Sequence, residues 1–148
     1  MHALFGFFGR KKVAWQVPLL DMRRYHKLLA GASWMGEYGN PDEPTEWSSL
    51  QTYSPYHNVA PDQIYPPFLC TTSTRDDRVH PGHARKMVRK LNDMGKSATY
   101  YYENIEGGHG GAADNKQSAF MSVLAYEFLE QVLAGRGLTG GKAAGGDK

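Results

Sequence analysis

Cysteine is almost missing from this chain. The single Cys70 excludes an intrachain disulfide framework and a zinc site built from several thiolates, and its apolar surroundings mark it as a buried strand residue. Neither sign of charge is in excess. With 17 Lys and Arg against 15 Asp and Glu, no basic field is present to draw nucleic acid or an anionic membrane surface. Long apolar runs are missing too, since no stretch reaches the roughly 18 residues that a membrane-spanning helix requires. The short apolar run from Ala3 to Phe8 is followed, not preceded, by Arg10, Lys11 and Lys12, the reverse of the order in a secretory signal. These absences lead to the expectation of a soluble, unprocessed chain without nucleic-acid or membrane partners, cytoplasmic by default. At 148 residues the chain has the length of one domain and can bury a core.

What is present is organised around the stretch from Phe68 to Leu91. Phe68 to Thr72 is a short apolar and β-branched run after the turn-forming Pro66 and Pro67, which predicts a strand buried on both faces. From Pro81 the period changes: Ala84, Met87, Val88, Leu91 and Met94 share one helical face, with Arg85, Lys86, Arg89 and Lys90 on the other. Pro81 suits a first turn and Gly95 a stop. Asp76, Asp77 and Arg78 fall where the strand ends. In parallel α/β sheets that crevice is where ligands bind.

Around this unit the chain reads as further strands and helices. Val13 to Val17 predicts a strand ended by Pro18, and Asp21 opens a helical run in which Met22, Tyr25, Leu28 and Leu29 share a face. From Gly31 to Pro67 the breakers crowd, with room for one short helix near Thr45 to Leu50. A long irregular stretch inside one domain builds or covers a site. Trp34, Tyr38, Trp47, Tyr53 and Tyr56 lie in it, and taken alone they are expected to pin the loop to the core. Ser97 to Tyr102 predicts a third strand, followed by a flexible turn centred on Gly107-Gly108-His109-Gly110-Gly111. Asp114 or Asn115 can cap a last helix with the apolar stripe Phe120, Val123, Leu124, Phe128, Val132 and Leu133. The order is that of the second half of a parallel α/β sheet. Three regions are expected: an atypical junction over 1–12, a partial domain over 13–134, and a Gly-rich disordered tail over 135–148.

The chemistry visible in this pattern is an acid at one strand end and an imidazole in a Gly-rich turn after the next. Such a pair converges from separated positions, the carboxylate accepting the Nδ1 proton and leaving Nε2 free as a general base. Three other patterns read as structural. Gly31-Ala-Ser33-Trp-Met-Gly36 imitates a nucleophile elbow but has Met35 where the tight turn wants Gly. Gly108-His-Gly-Gly-Ala-Ala113 fits a loose dinucleotide pattern with no later strand to bring the ribose-binding acid. His80 and His83 enclose Pro and Gly and have no third ligand nearby.

Five segments together carry a resemblance: Val17-Pro-Leu-Leu-Asp-Met-Arg-Arg-Tyr-His-Lys-Leu-Leu, Gly31-Ala-Ser-Trp-Met-Gly-Glu-Tyr-Gly, Tyr53-Ser-Pro-Tyr-His-Asn-Val, Thr72-Ser-Thr-Arg-Asp-Asp-Arg-Val and Gly107-Gly-His-Gly. In this order, from about Trp15 to Leu133, the chain resembles the C-terminal part of the prolyl oligopeptidase family of serine peptidases. The resemblance implies the C-terminal half of an α/β-hydrolase parallel sheet flanked by helices, incomplete here, in a family whose catalytic domain is preceded by a β-propeller. It implies Asp76 and His109 as the acid and base of a Ser, Asp and His triad, with Arg78 as the anchor of the substrate backbone. It also implies Trp34 and Tyr38 as the aromatic lining of a proline pocket, with Leu19 and Val79 as its aliphatic walls. No cofactor and no metal are implied.

No serine of the chain matches the family's nucleophile, and the stretch from Phe7 to Lys12 fits the family pattern poorly. The expectation is therefore a piece of a peptidase that is inactive alone and cleaves peptides, after Pro, when an upstream fragment supplies the Ser. The alternative is a non-catalytic remnant or a binding module for Pro-containing peptides. An isolated half-sheet also leaves a strand edge and an apolar face open.

Overall fold

The computed structural model describes residues 13–96 and 98–136. The expected junction over 1–12, most of the expected tail and the first residue of the third predicted strand lie outside the described residues. Three parallel strands form one open sheet in the order β1 (Val13–Gln16), β2 (Phe68–Ser73) and β3 (Thr99–Asn104). Val13 pairs with Phe68, and Phe68 with Thr99, so the strands' carboxyl ends lie on one side. β2 is buried along its whole length, as expected of a central parallel strand covered on both faces.

Alternation along β2 sorts the core into two layers. Phe68 and Cys70 pack with Ala84, Met87, Val88 and Leu91 of the helix α3 (Gly82–Asp93) and with Leu20 and Val59. Leu69 points the other way, to Phe128 and Val132 of the helix α4 (Asn115–Leu133). The period of α3 matches its sequence stripe, and it ends on a Schellman turn at Gly95, whose φ is 71°: Lys96 N–H reaches the Leu91 carbonyl at 3.0 Å and Gly95 N–H that of Asn92 at 2.9 Å. α4 starts on Asp114, whose carboxylate accepts the Gln117 N–H at 2.7 Å. Its end repeats the Schellman pattern, Arg136 N–H to Gln131 at 3.0 Å and Gly135 N–H to Val132 at 3.3 Å. Gly135 and Arg136 thus close the helix.

One expectation about an element needs correction. The helical run expected after Asp21 is instead two 3-10 turns, Tyr25–Lys27 and Leu29–Trp34, broken by an extended Leu28. Gly31 packs so tightly on the Tyr25 carbonyl that a Cβ there would stand 1.7 Å from its oxygen, a close approach that a regular α-helix does not make. The turns lead into the short helix α1 (Met35–Tyr38), followed by α2 (Pro44–Tyr53), with Pro44 in its first turn as the fixed φ of proline allows. The apolar stripe of α4 is only half used: Phe128 and Val132 are buried with Met121, while Phe120, Val123 and Leu133 are 50%, 63% and 69% exposed. A three-stranded sheet is narrower than the stripe the helix presents. No described helix is long and apolar enough to cross a membrane.

Candidate active site

Asp76 sits in the turn that follows β2. Its Oδ1 accepts the main-chain N–H groups of Arg78 at 2.8 Å and Val79 at 2.9 Å, so the chain wraps its own carboxylate and fixes it. The carboxylate has no exposed surface. A buried carboxylate with donors on one oxygen needs a partner for the other, and His109 supplies it: Nδ1 stands 3.0 Å from Oδ2 and 3.1 Å from Oδ1. A carboxylate only accepts, so Nδ1 carries a proton, and in the neutral tautomer this leaves the lone pair on Nε2.

The loop that brings His109 there is built on glycine for two separate reasons. At Gly107 a Cβ would lie 2.7 Å from the carbonyl carbon and oxygen of Gly111, because the loop closes on itself. At Gly111 the φ of 85° is left-handed. The Gly111 N–H bonds the Gly108 carbonyl at 2.9 Å, so His109 and Gly110 are the central residues of a tight turn. The segment expected to be flexible is thus pinned. The imidazole is 35% exposed and opens onto a pocket of about 200 Å³ lined by Gln16, Val17, Thr71, Gly111, Ser118 and Met121, among others.

Next to this pair lies a network that the sequence reading did not single out. Arg85 of α3 grips Glu103 at the end of β3 through two nitrogens, Nε to Oε2 at 2.9 Å and Nη2 to Oε1. Thr74, just past β2, donates to the same carboxylate at 2.5 Å. Arg85 first, then Thr74 and Tyr101, hold the Glu103 pKa down to about 2 against the opposing effect of burial. The only sequence signal was an acid at one strand end and a base on the helix before that strand, which many surface pairs share.

The remaining candidates fall into two sets. Arg78 and Val79 belong to the Asp76 turn: Val79 is buried, and the Arg78 side chain is exposed and makes no ion pair among the described residues. Leu19, Trp34 and Tyr38 are partly buried around Met22, Tyr25 and Leu50, with Tyr38 edge-on to Tyr25 at 5.7 Å. Four of the five aromatics of the long loop pack inward, Trp47 in the same cluster and Tyr56 on the main core, while Tyr53 is 44% exposed.

The three look-alike patterns have structural uses. Ser33 Oγ is spent on the Ala30 carbonyl at 2.6 Å. His83 is buried and accepts the Asp21 N–H at 3.1 Å, while His80 accepts that of Gly82 at 2.9 Å. Gly108 to Gly111 is the histidine turn itself. Among the described residues no three His, Cys, Asp or Glu side chains are grouped to hold a metal. Burial pushes the Cys70 thiol up to about 12, which leaves it protonated and unreactive at neutral pH.

Comparison with known proteins agrees with this architecture. The sequence model of the prolyl oligopeptidase family matches residues 11–136. The uncharacterized peptidase y4nA of Sinorhizobium fredii is 52% identical over 118 residues, a stretch covering 80% of this chain and 16% of that protein. A prolyl endopeptidase of Elizabethkingia meningoseptica is 38% identical over 104 residues, 68% of this chain and 15% of the relative. The solved structure of a post-proline cleaving enzyme from Rickettsia typhi superposes with a TM-score of 0.80 at 39% identity, covering 83% of this chain and 18% of the other. The chain thus spans about a sixth of the length of the relatives it matches. From the family match and the three parallel strands between α3 and α4, the chain belongs to the prolyl oligopeptidase family and folds as part of that family's α/β-hydrolase domain.

Proposed function

We propose that Asp76 and His109 are the acid and base of a serine peptidase triad, acting on peptide bonds after proline once a serine is supplied from outside these 148 residues. The observation that carries this reading is the Asp76 to His109 hydrogen bond at 3.0 Å, with the imidazole open to the pocket. In that arrangement Nε2 takes the proton of the serine hydroxyl as its oxygen attacks the substrate carbonyl. The buried Asp76 carboxylate stabilises the imidazolium that forms. The imidazolium then returns the proton to the leaving amine, and a second cycle with water frees the serine. Arg78, held beside Asp76 by its own N–H, offers an unpaired guanidinium to a substrate carbonyl. Trp34 and Tyr38 offer flat rings to a pyrrolidine, with Leu19 and Val79 as apolar walls.

The serine is assigned to another segment because no described serine hydroxyl bonds His109. Ser33 is bonded to Ala30; Ser118 and Ser122 share the pocket with His109, Ser122 donating to the Ser118 carbonyl at 3.0 Å, and neither hydroxyl bonds the imidazole. The test compares the chain alone with the chain co-expressed with the part of the Sinorhizobium fredii relative that precedes its matching stretch. The chain alone is expected to leave a post-proline chromogenic peptide intact and to take up no fluorophosphonate. The pair is expected to hydrolyse it, and His109→Ala to abolish that. Labelling of a serine in the chain alone overturns the assignment of the nucleophile. The partial exposure of Trp34 and Tyr38 favours a second reading, a module that binds Pro-containing peptides without cleaving them. Saturable Trp fluorescence changes with such a peptide, lost in Trp34→Ala, combined with failure of every complementation, select that reading.

A further inference from the structure

Asn104, the last residue of β3, is buried and stands between the two halves of the candidate site. Its main chain belongs to the acid's side: it pairs with Ser73 across the sheet, and its carbonyl accepts the N–H of Thr74, at the head of the Asp76 turn, at 2.8 Å. Its side chain belongs to the histidine's side. Oδ1 accepts the N–H groups of Glu106 at 2.9 Å and Gly107 at 3.1 Å. Nδ2 donates to the Gly111 carbonyl at 2.9 Å and to Gln117 Oε1 at 2.8 Å. A primary amide has two acceptor sites and two donor hydrogens, and here all four are used. The amide orientation is fixed by chemistry, because the Glu106 and Gly107 main-chain nitrogens can only donate.

The bonds fall on both flanks of His109, two at 106–107 before it and one at 111 after it. Gln117, in the first turn of α4, extends the grip: its Oε1 also accepts the Ala113 N–H at 3.0 Å and its Nε2 donates to Glu106 at 2.5 Å. A loop of glycines has no side chains of its own to hold it, and its conformational entropy is the largest of any residue's. A buried polar network that is fully satisfied rigidifies what it ties.

We propose that Asn104, with Gln117 behind it, is a positioning residue: one amide closes the loop on both sides of His109 while its own peptide holds the Asp76 turn, fixing the imidazole against the carboxylate. This rests on the assignment of Asp76 and His109 given above. Aspartate at 104 would keep the two acceptor bonds and lose both donor bonds. Alanine would lose all four.

The test reads the imidazole directly, on the full 148-residue chain labelled with 15N histidine. The His109 signal is assigned by its loss in His109→Gln. In the parent chain His109 is expected in the Nδ1–H tautomer with a low-field proton that exchanges slowly with water. Asn104→Ala is expected to speed that exchange at least about tenfold, the effect of one net hydrogen bond on an opening equilibrium, with the circular dichroism of the chain retained. Asn104→Asp and Gln117→Ala are expected to move it the same way by less, and they keep the test usable if Asn104→Ala does not fold. An unchanged Nδ1–H exchange rate in these variants, with Gly107 amide protection lost, overturns the proposal: the amide then holds the turn and not the imidazole. Asp76→Asn separates the two levels. If the parent lacks the slow proton and Asp76→Asn leaves the His109 spectrum unaltered, the Asp76 and His109 pair fails, and the positioning role with it.

Discussion

His83 accepts the main-chain N–H of Asp21 through Nδ1 at 3.1 Å, so the proton of its neutral ring sits on Nε2. Burial pushes its pKa down to about 4; the Asp21 carboxylate pulls the other way, and His80 and Lys86 add to the fall. The unfolded ring titrates near 6.5, so between these values the unfolded chain holds more protons than the folded one. This contribution to stability is therefore complete above about pH 6.5 and is lost as the pH drops toward 4, by about 3 kcal/mol in all. His83→Asn keeps an acceptor near the place of Nδ1 and removes the titration. Urea unfolding at pH 7 and pH 4.5 is expected to show a smaller acid loss in the variant than in the parent. Asp21 beside it behaves oppositely: burial works against its charge, but Lys86, His57 and Arg24 outweigh burial and hold its carboxyl below the ordinary value. The half-buried ion pair of Lys86 with Asp21 ties the segment after β1 to α3.

At the scale of elements, the loop from Asn104 to Asn115 shows how a run of glycines becomes a fixed structure. Its glycines are not equivalent, and substitution can separate them. Gly107→Ala drives a Cβ into the Gly111 carbonyl, where only backbone can give way. A loss of about 1–3 kcal/mol is expected, with displacement of His109. Gly110→Ala meets nothing within 4 Å and is expected to change stability by less than about 0.5 kcal/mol. Chemical denaturation of the two variants side by side checks the contrast, and equal losses would mean that the loop's closure on itself has no energetic weight. On the other side of the site, Tyr25 is fully buried and donates its hydroxyl to the Gly39 carbonyl at 2.5 Å. It joins the two 3-10 turns to the end of α1 and so fixes the level at which Trp34 and Tyr38 stand.

For the whole molecule, the sheet and its last helix leave surface open. Among the described residues β1 has a strand on one side only, and unpaired strand edges invite pairing with another chain. On α4 the exposed Phe120, Val123 and Tyr126 add apolar area. The chain on its own is expected to self-associate in sedimentation velocity. Val123→Glu with Tyr126→Glu is expected to shift it toward monomer without lowering its unfolding midpoint. A monodisperse parent monomer with a single two-state transition would count against this picture. At the same edge, Gln16 and Val17, at the end of β1, line a pocket together with His109.

Local pattern made much of this protein legible. The buried run of β2, the 3.6-residue period of α3, the Asp114 cap of α4 and an acid and an imidazole at successive strand ends all follow from spacing along the chain. These are interactions between near neighbours, or consequences of a strand lying between two others. The tertiary structure decided what depends on distant partners. His83, read from sequence as half of a failed metal pair, is a core residue because Asp21, 62 positions away, offers it an N–H. The expected helix after Asp21 breaks into two 3-10 turns because Gly31 can press on the Tyr25 carbonyl. Half of the α4 stripe stays exposed because stripe width is written in the sequence but sheet width is not. The histidine turn, flexible by composition, is pinned because one amide at the end of β3 can satisfy four partners at once, and periodicity carries no record of that.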